Sequence, residues 1–155
     1  MKIVVAADPF AISLKNALVP YLTDELGHTV IDVGSSESKE VPYFEAGSNA
    51  CKVLQSGEAE RAILLCGTGM GMSIVANHFP GVRASVVESV FAARMCRAIN
   101  DANALCLGAM IWGEWMAKEA VDVFLKTNIG DGLESLAEGL KAGVKAVEAI
   151  RPAAN

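Results

Sequence analysis

The chain is 155 residues long, with 52% apolar and 20% charged residues and a formal net charge of −5. A single domain of this length buries about two-thirds of the surface its unfolded form exposes, so a full core is within reach and intrinsic disorder is excluded. Negative charge without a basic cluster argues against nucleic acid or an anionic membrane as the main partner, and no apolar run reaches the length of a membrane span.

Taken in chain order, short β-rich runs alternate with helical patterns. Residues 3–7 read as a strand, 13–25 as a helix, 29–33 as a strand and 44–54 as a helix. Strands follow at 62–66, 83–87 and 104–107, separated by a short helix near 73–77 and a longer one over 90–99. Residues 115–125 and 135–150 read as two further helices, with a Gly-rich polar link between them. A helix in nearly every connection forces parallel pairing with right-handed crossovers. The expected fold is therefore an α/β, three-layer α/β/α Rossmann-like sandwich: a five-stranded parallel sheet with an extra C-terminal helix, in one domain spanning 1–155. The last helix, 135–150, carries Leu136, Leu140, Val144 and Val147 along one stripe, which covers either its own domain or a partner subunit. The apolar stretch of MKIVVAADPF is too short for a signal peptide. Cys51, Cys66, Cys96 and Cys106 show neither the pairing of a zinc site nor a disulfide framework. A cytoplasmic protein with free thiols and no metal is expected.

The most informative segment is RAILLCGTGMGM, from Arg61 to Met72. An apolar strand ends in Cys66 and opens into Gly67, Gly69 and Gly71, so the backbone there is free to approach a ligand closely. The helix expected near Met72 turns its unpaired N–H groups toward the same spot. Cys66, Thr68 and the amides of Gly69 to Gly71 form a combination suited to proton transfer beside a developing oxyanion. A tight turn around a structural cysteine is the competing interpretation. Ligands of open parallel sheets sit beyond the carboxyl ends of the strands, where Asp8, the Cys66 loop and Glu88–Ser89 all fall. Asp8 before Pro9 also suits a turn or helix cap, and Ser89 suits a helix start. Met70 and Met72 shape the loop or fill space beneath it. A dinucleotide site is not expected, because that fingerprint follows the first strand, which here ends in ADPF.

With CGTGMGMSIVAN, PGVRA and INDANALCLGA in view, the chain resembles the type B ribose-5-phosphate isomerases and the galactose-6-phosphate isomerase subunits. The similarity runs from KIVVAAD to EWMAKEAVDVFL. The resemblance implies aldose–ketose isomerisation of a sugar or sugar phosphate without metal or other cofactor. It also implies a homo-oligomer, dimer or tetramer, with sites at the subunit boundary. Residue by residue, it implies Cys66 as the base working between C1 and C2, with Thr68 beside it. The amides of Gly67, Gly69, Met70 and Gly71 would stabilise the enediolate, and Asp8 and Asn100 would hold sugar hydroxyls. A thiol at a helix N-terminus suits the base role because its pKa is lowered there.

The departures are specific. Ile99 and Pro9 stand where ring-opening relatives carry histidine, Val41 replaces a tyrosine, and the phosphate-gripping arginines correspond to Met110 and the Arg-free stretch 130–139. Three explanations follow. The substrate is a four-carbon sugar phosphate that cannot close a furanose, its anion met by Lys126, Lys141, Arg94 or a partner's residue. Alternatively the sugar is unphosphorylated or otherwise modified. In the third case, the chain is a non-catalytic partner subunit or sugar-binding module of a hetero-oligomer.

Overall fold

The computed structural model describes residues 1–150; residues 151–155, the end of the domain expected over 1–155, lie outside the described residues. Five strands, β1 (Lys2–Ala7), β2 (Thr29–Asp32), β3 (Arg61–Cys66), β4 (Ala84–Val86) and β5 (Ala104–Gly108), form one sheet in the order β2-β1-β3-β5-β4, parallel throughout. Helices α1 (Ile12–Pro20), α2 (Tyr43–Gln55), α3 (Met70–Ala76), α4 (Val90–Asn100), α5 (Glu114–Lys126) and α6 (Ala137–Glu148) complete it. This is the α/β/α sandwich expected from the alternation of patterns.

The central strands are apolar on both faces because helices cover both. On β3, Ile63 and Leu65 join Leu14 and Leu18 of α1, Ala93 and Cys96 of α4, and Val121 and Phe124 of α5. The alternate residues Ala62, Leu64 and Cys66 point the other way, to Ala46 and Ala50 of α2 and Met72 and Ala76 of α3. Cys66 and α4 therefore lie on opposite faces of the sheet. Removing a fully buried side chain such as Phe124 or Leu64 costs on the order of 2–5 kcal/mol, because the cavity left behind does not close.

Boundaries differ from the sequence expectation where local chemistry intervenes. The first helix ends its regular part at Pro20, which lacks an amide, and continues as a wide π turn over Tyr21–Glu25. A 3-10 turn, Glu134–Leu136, precedes α6, so the regular helix begins at Ala137 instead of at 135. The central helix begins at Met70, ahead of the position expected, because Gly69 takes φ 79° and turns the strand directly into it.

Beta-strand order places a topological switch between β1 and β3. The chain leaves β1 for β2 on one side, then crosses to β3 on the other, so the carboxyl ends of β1 and β3 flank a crevice. Asp8 and Cys66 occupy those two ends.

Candidate active site

Cys66 is the last residue of β3 and only 5% exposed. Its Sγ accepts the Gly69 N–H at 3.1 Å, and Thr68 Oγ1 accepts the Met70 N–H at a longer 3.4 Å. Among the described residues, the amides of Gly67, Thr68, Gly71 and Met72 donate to no protein acceptor. One turn thus presents a thiol, an exposed hydroxyl and several uncommitted N–H groups, the set needed to move a proton beside a growing negative charge.

The neighbouring elements hold this turn by backbone contact. Ala109 N–H donates to the Cys66 carbonyl at 2.8 Å and Met110 N–H to the Gly67 carbonyl at 2.9 Å. A Cβ on Gly108 would lie 2.5 Å from the Thr68 carbonyl carbon, so the end of β5 admits no side chain without displacing the loop. Gly71 is as tightly placed: a Cβ there would lie 2.9 Å from the Tyr43 ring. Gly67 is less confined: a Cβ there would lie 3.3 Å from the Met110 Cε and 3.9 Å from the Phe10 Cβ.

Asp8 stands on the other bank of the crevice and is buried. Its N–H donates to the Leu65 carbonyl at 3.0 Å, which ties it to β3, and its Oδ1 accepts the Phe10 N–H at 3.0 Å. Asp8 therefore caps the turn with one oxygen, and the carboxylate has a second oxygen to offer at the crevice. Burial pushes the Asp8 carboxyl above the ordinary carboxylate range, against the pull of the Phe10 and Ala11 amides. A hollow of about 250 Å³ lined by Asp8, Pro9, Phe10, Glu40, Pro42 and Tyr43 adjoins the glycine loop. It has room for a short chain of carbons.

The other three thiols are packing residues. Burial raises Cys51 to about 11, and it also raises Cys96 and Cys106. All four cysteines are free, and no cluster of histidine, cysteine or carboxylates that could hold a metal occurs among the described residues. Ser89 caps α4, its Oγ accepting the Ala92 N–H at 3.1 Å, as its place before an apolar pattern suggested.

Asn100 does not join this cluster. It is the last residue of α4, just before β5, and so stands at the amino edge of a parallel sheet whose carboxyl edge carries Cys66. It lines, with Ile99, a groove of about 880 Å³ between α6 and residues 77–85. Two sequence features of the site went unread: Tyr43, whose ring roofs the loop, and Gly108, whose missing Cβ admits it. An exposed aromatic just after a proline and a glycine closing an apolar strand were the available signals.

A strand-end thiol beside uncommitted amides at a switch-point crevice is an arrangement suited to proton transfer on a small ligand. The family model for Ribose/Galactose Isomerase matches residues 3–137. The chain is 42% identical to a 4-deoxy-4-sulfo-D-erythrose isomerase of Clostridium sp. (strain MSTE9), over 94% of this chain and 91% of that one. It is 36% identical to a D-erythrulose-4-phosphate isomerase of Pectobacterium atrosepticum, over 85% and 87%. The crystal structure of a ribose 5-phosphate isomerase from Thermotoga maritima superimposes with a TM-score of 0.86 at 34% identity, over 96% and 98% of the two chains. The chain belongs to the ribose/galactose isomerase family.

Proposed function

We propose that this aldose–ketose isomerase of small sugars acts on a four-carbon sugar with a phosphate or sulfonate on C4, using Cys66 as base. The thiolate takes the proton from C2 of the aldose while charge gathers on O1. The same proton, or one exchanged with water, returns to C1 as the O2 proton passes to O1, and the ketose results. The observation that carries this reading is the uncommitted amides of Gly67, Thr68, Gly71 and Met72 around the Cys66 thiol. Donors fixed in advance stabilise an enediolate without reorganising. Thr68 and Asp8 hold sugar hydroxyls, with Gly69 and Met70 shaping the turn.

The four-carbon preference has two supports. A C4 that bears phosphate or sulfonate has no free hydroxyl to close a furanose, so the ring-opening histidine is dispensable and Ile99 is tolerated. The hollow beside the loop is also small, lined by Phe10, Pro42 and Tyr43, and relatives named for four-carbon substrates share this length of chain.

The working unit is a homo-oligomer in the cytosol, a compartment to which four free thiols are suited. Asn100 contributes to the site of a second copy, because its own Cys66 stands at the far end of the sheet. Helix α3 runs from the Cys66 loop to Asn77, and its exposed residues Met70 and Ile74 suit packing against the same helix of a partner. A two-fold axis through α3 sets each Cys66 loop beside the other copy's Asn100.

The test is turnover by the purified chain, followed by NMR, on erythrose 4-phosphate, 4-deoxy-4-sulfo-erythrose, ribose 5-phosphate and unsubstituted pentoses. Ketose formation from the two C4-substituted tetroses is expected. Turnover of pentoses alone contradicts the four-carbon assignment.

A further inference from the structure

The hollow beside the Cys66 loop has two banks, and both are tied to the end of β1. On one bank, Asp8 N–H donates to the Leu65 carbonyl, and Pro9–Ala11 form a 3-10 turn capped by the Asp8 carboxylate. On the other, Ser35 N–H donates to the Ala7 carbonyl at 2.8 Å. The buried Ser35 hydroxyl donates to the Val41 carbonyl at 2.9 Å and accepts the Val41 N–H at 2.8 Å. Lys15, also buried, donates to the Ser35 carbonyl at 2.5 Å. Pro42 and Tyr43, which follow Val41, therefore start from a fixed point.

Tyr43 opens α2, and its ring is held from the opposite side as well. A Cβ on Gly71 would lie 2.9 Å from its Cδ2 and 3.0 Å from its Cε2. One turn further along α2, a Cβ on Gly47 would lie 3.2 Å from the Met72 Sδ and 3.2 Å from the Val75 Cγ1. Glycines on the facing sides of α2 and α3 thus draw the two helices together, and the Tyr43 ring is carried against the loop.

Tyr43 also lines the hollow. Phe10 borders hollow and loop too, but it is 72% exposed and nears Gly67 by its Cβ, at 3.9 Å from where a Gly67 Cβ would be. The Tyr43 ring is the large flat surface that joins the two. At about 250 Å³ the hollow falls below the roughly 300–1,000 Å³ usual for ligand pockets. A wall packed on one side and hydrogen-bonded through its neighbours on the other does not yield to a longer ligand as a free loop would.

From this placement we infer that Tyr43 sets the chain length of the substrate: its ring is the wall that a four-carbon sugar clears and a fifth carbon strikes. The inference rests on the proposed function. With C1 and C2 at the Cys66 thiol and a sugar hydroxyl on Asp8, the remaining carbons run along the hollow that Tyr43 bounds.

The experiment compares kcat/KM for erythrulose 4-phosphate and ribulose 5-phosphate, open-chain ketoses that differ by one CHOH unit, so that ring opening is not a variable. The wild type is expected to favour the shorter sugar by about ten-fold or more. Tyr43→Ala should raise the ratio of ribulose 5-phosphate to erythrulose 4-phosphate by about ten-fold or more, chiefly through a lower KM for the longer sugar. Tyr43→Leu, which keeps an apolar contact with the loop, should move the ratio the same way by less, and it reads the wall if the alanine variant fails to fold. Tyr43→Phe keeps the ring and should keep the wild-type ratio. General loosening of the loop lowers both sugars alike, so a ratio unchanged in Tyr43→Ala and Tyr43→Leu overturns the inference, as does a wild type that prefers ribulose 5-phosphate. Calorimetric titration with erythritol 4-phosphate and ribitol 5-phosphate makes the same comparison without turnover. Tighter binding of the shorter polyol by the wild type, with the difference lost in Tyr43→Ala, supports the wall even if neither ketose is isomerised, and the proposed reaction alone then fails. Equal affinity for the two polyols, or binding of neither, overturns the inference.

Discussion

The two edges of the sheet are built in opposite ways. At the carboxyl edge, the Cys66 loop, the end of β5 and Tyr43 approach so closely that Gly71 and Gly108 have no space for a methyl group. At the amino edge, α6 has no buried residue, and a wide groove separates it from the turn after α3. Close packing fixes the amides and the thiol of the Cys66 loop in advance, whereas the open edge leaves a groove of about 880 Å³ unfilled. The difference teaches that the two edges of one sheet are built for different purposes, one for rigidity and one for access.

The contrast is broken most severely at the thiol. Cys66→Ala is expected to reduce kcat by about 10²–10⁴-fold, the usual contribution of a positioned base, with the thermal midpoint little changed because serine- or alanine-sized groups fit the same place. Full activity in this variant would assign the base elsewhere. The opposite edge comes next: Asn100→Ala should lower kcat/KM by about ten-fold or more through a lost hydrogen bond, and kinetics indistinguishable from wild type would detach that edge from the site.

Two glycine substitutions sharpen the comparison as stability. Gly108→Ala forces a methyl into the Thr68 backbone and is expected to destabilise by about 1–3 kcal/mol. Gly143→Ala on α6, where a Cβ meets nothing within 4 Å, should stabilise by about 0.5–1 kcal/mol through helix propensity. Denaturant unfolding checks both, and equal effects would erase the distinction between the edges.

The smallest effect concerns Asp8, whose carboxyl is raised by burial. A raised acid holds its proton more tightly when folded, so wild-type stability is full below the unfolded value of about 3.9 and falls as pH rises through the folded value. Asp8→Asn removes that penalty. It should unfold at a slightly higher temperature than wild type at pH 7, with the gap closing toward pH 4, while losing activity. A wild type more stable than the variant at pH 7 would contradict the sign.

The alternation of strand and helix patterns was enough to read the five strands and six helices, since each carries its own apolar period. CGTGMGM likewise placed the thiol and the glycines at one turn, because a strand end and the next helix start are neighbours in sequence. The order that sets β5 between β3 and β4 was not legible, as no local pattern records which strand enters the gap. Nor was the separation of Asn100 from Cys66, which depends on the direction of the sheet and not on either motif. Tyr43 over Gly71 joins two helices on the same face of the sheet, a contact that the separate segments do not announce.

The most direct measurement is the isotope content at C1 of the ketose formed from erythrose 4-phosphate in deuterated water, followed by NMR until equilibrium. Proton transfer through an enediolate at Cys66 predicts solvent deuterium at C1 with wild type and its near absence over the same time with Cys66→Ala. Ketose formed by Cys66→Ala at the wild-type rate with the wild-type deuterium content at C1 would contradict the account, because the base would then lie elsewhere.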